Sequence, residues 1–258
     1  MMTGSYEFLI LVLLLVIFLG MLGLAALGHR HGRNRAGPDK GKTHGTGVVD
    51  AALFALLGLL IAFTFATAYS RFNLRRDLVV QEANAIGTAY LRLDLLPTDA
   101  QPALREKFKI YVDSRITFWR KLSDPAAAWA ELGRATKLQN GIWSESVKAT
   151  EDSQSARMLL LPALNQMIDI TTTRLNAIMA HPPRLVFGVL FILTLICAWL
   201  TGYAMAEADR LNWLHVIMYG LMITLIIYVI IDLEYPRYGL IRLDLTQELL
   251  TEVRTNMN

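Results

Sequence analysis

The chain has 258 residues, 54% of them hydrophobic and 18% charged, with a formal net charge of +3 and a single cysteine, Cys197. So apolar a composition excludes an ordinary soluble domain of this length, and so modest a charge, spread over loops, excludes a nucleic-acid surface. One cysteine excludes an intrachain disulfide.

Four runs free of Lys, Arg, Asp and Glu approach the ~20 apolar residues that cross a bilayer, at 8–27, 51–69, 185–206 and 213–231. The first lies in a helix predicted for residues 1–28. It lacks a basic leader and outruns a signal-peptide core, so it reads as a retained span. Residues 29–47 read as a solvated basic loop, because "GHRHGRNRAGPDKGKTHGTG" has no apolar periodicity. Its histidines, His29, His31 and His44, lack the carboxylates and rigid spacing of a metal site, and no metal or cofactor is expected. The basic residues suit anionic lipid headgroups.

The second span, 48–70, has no helix breaker at its end. From Val48 to Leu96 only isolated glycines weaken the pattern, which predicts one helix of about 70 Å at ~1.5 Å per residue. Gly58, Ala62, Ala66 and Ser70 form a small-residue stripe that admits a neighbouring helix, from this chain or from another copy. Phe65, Tyr69 and Phe72 recur at helical spacing with Phe63 close by, and Thr64 and Thr67 add hydroxyls. Such a stripe serves either as packing core or, repeated about an axis, as a hydrophobic constriction for ions. Arg71, Arg75 and Arg76 mark the membrane edge, where guanidinium groups reach headgroups or attract ions. Farther on, helix-to-helix salt bridging is the expected role of Glu82, with Arg75 or Arg76 within two turns or another chain as its partner, and Glu82 and Asn84 are otherwise candidates to face a shared axis.

Residues 71–183 read as an extramembrane helical bundle. Thr98 and Gln101 have capping-box spacing, Asp124 and Pro125 mark another start, and Asn140-Gly141 is expected to interrupt that helix. Leu161, Leu164, Ile168, Leu175 and Ile178 are predicted to form a seam with Thr171, bent at Pro162 and ended by "HPP" at 181–183. Spans at 184–207 and 208–233 follow, joined by the short "EADRLN", with His215 in the opening turn of the last. Asp232 and Glu234 mark its exit, and 234–258 forms an amphipathic tail turned by Pro236 and Gly239.

The blocks "ALLGLLIAFTF", "SRFNLRRDLVVQEANAIGTAYLRLDLLP" and "DLEYPRYGLIRLD" resemble the bacterial bestrophin-like domain family, itself distantly similar to bestrophin ion channels. The resemblance implies an all-α membrane protein with four transmembrane helices in two hairpins, an inserted helical bundle and a long continuous second helix. It further implies a homo-oligomer, pentameric in bestrophins, with the second helix lining a pore and Phe63, Phe65 and Tyr69 as neck candidates. The acidic cluster of a calcium clasp is absent after the fourth span. Copies of the chain, membrane lipids and inorganic ions are the expected partners. The expected location is the bacterial inner membrane, with the helical bundle cytoplasmic. No nucleophile with a base and no paired catalytic carboxylates point to an enzyme. The alternative function is a non-conducting membrane scaffold or sensor whose helical bundle binds a partner.

Overall fold

A computed structural model describes residues 2–35, 46–206, 210–236, 239–241 and 244–257. Among them the chain forms eight α-helices and one short 3-10 turn, with no strand. They are α1 (Met2–Arg35), α2 (Thr46–Leu91), the 3-10 turn (Arg92–Leu95), α3 (Gln101–Arg120), α4 (Pro125–Ala149), α5 (Gln154–Met179), α6 (Arg184–Ala204), α7 (Trp213–Glu234) and α8 (Asp244–Thr255). Among the described residues, four helical stretches are long and apolar enough to cross a membrane. The chain is an integral membrane protein of all-helical class.

Two compact units divide the chain, one of Met1–Phe72 and His181–Ile241, the other of Asn73–Ala180 and Arg242–Asn258. In the first, α1 lies along α6, and both meet α7. Glycine sets the first of these approaches. A β-carbon on Gly28 would collide with the Trp199 carbonyl, and one on Gly202 with the carbonyl of Ala25, so α1 and α6 touch backbone to backbone. Leu14, Ile17 and Met21 of α1 share a core with Leu190, Leu193 and Cys197 of α6 and Ile227 of α7.

The end of α1 departs from the sequence reading. The helix continues to Arg35, with His29 buried and His31 tilted over Trp199 and Tyr203 at 5.8 and 6.2 Å. Packing of Gly28 and Gly32 on α6 supports a polar stretch that alone has no reason to be helical. The first part of the expected loop is therefore helix, while its remainder and His44 lie outside the described residues.

In the second unit, α3, α4 and α5 pack with the latter part of α2 around Ile86, Leu93, Phe108, Tyr111, Ile142, Leu164 and Met167. The tail joins this core through Leu250 and Met257, and Arg254 clasps Asp113 of α3 with bonds of 2.9 and 3.2 Å. Asp124 caps α4 by accepting the Ala127 N–H at 3.2 Å, with Pro125 behind it. No capping box forms at Thr98. Ala100 occupies the cap of α3, and the Gln101 side chain instead donates to the Leu96 carbonyl at 2.8 Å. Asn140-Gly141 does not interrupt α4, because buried Gln139 and Ile142 hold the helix in the core on either side. The seam of α5 is also rotated from the expected one: Leu160, Ala163, Met167, Ile170 and Arg174 are buried beside Leu164 and Thr171, while Leu161, Ile168, Leu175 and Ile178 are half-buried.

Candidate functional site

α2 is one unbroken helix of 46 residues, about twice as long as a bilayer core is thick at ~1.5 Å per residue. Its membrane half buries one narrow side. Leu57 joins the α1–α6–α7 core, and Ala68 packs with Ile230 and Leu233 of α7, with Phe72 half-buried in the same cluster. Thr64, also buried, turns its hydroxyl back to the Leu60 carbonyl at 2.6 Å. Phe72 and Thr64 therefore belong to the packing side.

The other sides of α2 are bare. Gly58, Ala62, Ala66 and Ser70 are all exposed, and a β-carbon added to Gly58 would meet nothing. Among the described residues the small-residue stripe thus packs against no helix of its own chain, whereas Gly28 and Gly202 serve the intrachain approach. Phe63, Phe65 and Tyr69 are exposed by 62%, 41% and 52%. The Phe65 and Tyr69 rings lie parallel, with centroids 6.5 Å apart. At ~100° of turn per residue, Phe63 projects roughly 160° away from Phe65, almost to the opposite side of the helix. Thr67, exposed, bonds its own helix at the Phe63 carbonyl.

Below this stretch, each arginine has a separate task. Arg71 pairs with Glu234 at the end of α7, Nη1 to Oε2 at 3.3 Å. The second oxygen of Glu234 lies 3.0 Å from Nδ1 of His181, whose ring stacks on Tyr235 with centroids 4.8 Å apart. Glu234 is buried, and so is Asp232, whose Oδ2 accepts the N–H groups of Leu240 and Ile241 at 3.1 and 3.0 Å. Gly239 passes so close to that carboxylate that any β-carbon would overlap it. The two acids therefore organise the exit of α7. Arg75 is buried and donates to the carbonyls of Ala177 and Ala180, which lack helical partners at the end of α5. Arg76 remains exposed.

Glu82 makes the salt bridges between helices expected of it, but with other partners, and it faces no surface. It is fully buried, clamped between Arg115 of α3, 2.6 Å from its Nε, and Arg174 of α5, and it does not pair with Arg75 or Arg76. Arg174 in turn lies over the Trp119 ring at 3.7 Å, and Arg115 over Phe118 at 5.3 Å. Burial alone would raise the Glu82 carboxyl, but the two guanidinium groups outweigh it and hold that carboxyl below its ordinary range. Burial likewise opposes the charge on Arg115, and Glu82 and Tyr111 more than restore it. Tyr111, pushed up by burial, accepts a bond from Gln139 at 3.1 Å. Glu82 is a structural anchor of α2 and cannot line a path on its own chain's surface. Asn84, two residues on, is exposed.

The pairings of Glu82 with Arg115 and Arg174, and of Glu234 with Arg71 and His181, join residues far apart in the chain. A signal existed for one of them: Arg115 sits between Tyr111, Val112, Phe118 and Trp119, a charge inside an apolar helical stripe.

A profile of the bestrophin-like domain family matches residues 14–246. No curated protein matches the chain. The crystal structure of a bacterial bestrophin homologue from Klebsiella pneumoniae, carrying a tyrosine-to-alanine mutation, superposes with a TM-score of 0.62 at 16% identity. The match covers 95% of this chain and 97% of that one. At that identity the likeness is one of fold.

Proposed function

The chain belongs to the bestrophin-like domain family, and from that premise we propose that it is a homo-oligomeric ion channel whose pathway is bounded by α2. The observation that carries the proposal is the bareness of that helix. Only 11% of its most apolar stretch is buried within the chain, against 22% to 33% for the other three membrane-length helices. A stripe of small residues with no partner among the described residues of its own chain is an invitation to another helix, and the same stretch of a second copy supplies one.

The exposed aromatic pair, Phe65 and Tyr69, then forms the narrow hydrophobic neck about the common axis. Phe63, pointing the other way, meets a neighbouring copy or lipid. Thr67, Arg76 and Asn84 are among the exposed polar groups of α2 available to the water-filled parts of the path, while Arg71, Arg75 and Glu82 hold it in place. The spans are arranged as two hairpins with the helical bundle between them, five copies assemble, and the bundle faces the cytoplasm from the inner membrane. The chain has no catalytic role.

Reconstitution of the purified full-length protein into planar bilayers, with mass measurement of the detergent-solubilised particle, tests this. Currents above protein-free controls from a multimeric particle support it. A monomer without current overturns it and leaves a membrane scaffold or sensor.

A further inference from the structure

We propose that His181, Glu234 and Arg71 form a proton-operated latch that fixes the membrane end of α2. The carboxylate of Glu234 is 1% exposed, and its partners include His181 at Oε1 and Arg71 at Oε2. Arg71 follows Tyr69 on the same rigid helix, so whatever restrains its guanidinium restrains the aromatic pair too. His181 opens the non-helical His-Pro-Pro segment ahead of α6, where two consecutive prolines donate no backbone bond. Side chains therefore do the holding there.

The imidazole is 37% exposed, open to protons from solvent. Among the described residues its contacts are Glu234 and Tyr235, with Arg71 facing it across Glu234. Asp232, the other nearby acid, is turned to the amides of Leu240 and Ile241. When neutral, His181 offers Glu234 one ordinary hydrogen bond. When protonated it offers an ion pair, and its ring becomes a cation stacked on Tyr235. Histidine is the side chain that makes this change near neutral pH. Protonation therefore tightens the His181–Glu234 bond of the latch, and loss of the proton loosens it. The gain of a charge-assisted bond over a neutral one corresponds to about a five- to tenfold shift in the latched population.

The consequence for conduction rests on the channel reading above, and the test separates the two. Thermal unfolding of the full-length protein in detergent is compared at about pH 5.5 and about pH 8.5 for wild type, His181→Gln, His181→Asn and Glu234→Gln. Bilayer currents are recorded at the same two values. The latch predicts a wild-type stabilisation in acid that all three variants lack, and a wild-type current that changes about five- to tenfold between the two values and is flat in His181→Gln. A variant that fails to fold is replaced by the other histidine substitution. An unfolding profile in His181→Gln or His181→Asn with the wild-type pH response overturns the latch whatever the currents do. Absence of current in every protein, with the unfolding difference intact, overturns the channel and leaves the latch standing.

Discussion

Gly202 of α6 lies directly against Ala25 of α1, so that a β-carbon on the glycine would sit inside the alanine's carbonyl group. Neither atom has room to yield, since both belong to helical backbone. Gly202→Val is therefore expected to push the two helices apart and to cost about 3 kcal/mol or more, at the upper end of overpacking penalties. Thermal unfolding in detergent measures it. An unchanged melting temperature would mean that α1 and α6 do not cross here.

Burial of one carboxylate between two guanidinium groups makes Glu82 a second sensitive point. Glu82→Gln keeps the shape but leaves Arg115 and Arg174 with an uncompensated charge, a change expected to cost about 3–5 kcal/mol. The pH dependence has a definite sign. The folded-state carboxyl lies below its ordinary value of 4.5, so its contribution is present above that value and is lost as pH falls below it. Wild type should lose stability in that acid range, and Glu82→Gln should show a smaller loss. Parallel acid-unfolding curves for the two proteins would argue against the clamp.

What the sequence made legible and what it hid follow from the kind of signal each residue carries. Long uncharged runs announce membrane helices by themselves, and Asp124-Pro125 and His-Pro-Pro act on the backbone next to them, so those boundaries appear where local chemistry puts them. Partners distant in the chain carry no such mark. Glu82 is 33 residues from Arg115 and 92 from Arg174, and arginines within two turns of Glu82 offered a nearer pairing that the fold does not use. Because Arg174 is buried with that carboxylate, the apolar seam of α5 rotates away from the positions its leucines and isoleucines suggest. The small residues of α2 were visible in the sequence, but their exposure was not, since burial depends on which other helix takes the close approach. Gly28 and Gly202 take it.

That division of labour yields a prediction about assembly. Ala66 and Ser70 are exposed in the protomer and turned roughly 100° and 140° from Phe65, so Ala66→Leu and Ser70→Leu should leave its unfolding within about 1 kcal/mol of wild type, in the range of helix-propensity effects. In a close-packed helix contact between copies the same leucines would clash. The expected outcome is a smaller particle by mass measurement with an undisturbed helical spectrum. An intact multimer would show that the stripe faces lipid.

Phe65 and Phe63 provide the sharpest comparison because chemistry and depth are similar and both are exposed, while direction differs. Both rings are exposed in the protomer, and two residues of α-helix turn them roughly 160° apart. Around a symmetric axis only one side of each α2 can look inward, so the two substitutions to alanine cannot have equal effects on a pore. Phe65 stacks with Tyr69, and together they cover two successive turns on one side, which a constriction of useful length requires. Removing the Phe65 ring widens and wets that constriction. A barrier lowered by ~1.4 kcal/mol raises the passage rate about tenfold, so Phe65→Ala is expected to increase conductance by about that factor. Phe63→Ala should leave conductance near wild type. Paired single-channel recordings at one voltage and salt decide the matter. The reverse pattern would move the neck to the Phe63 side of α2 and place Phe65 and Tyr69 between copies, and silence from both would remove an aromatic neck altogether.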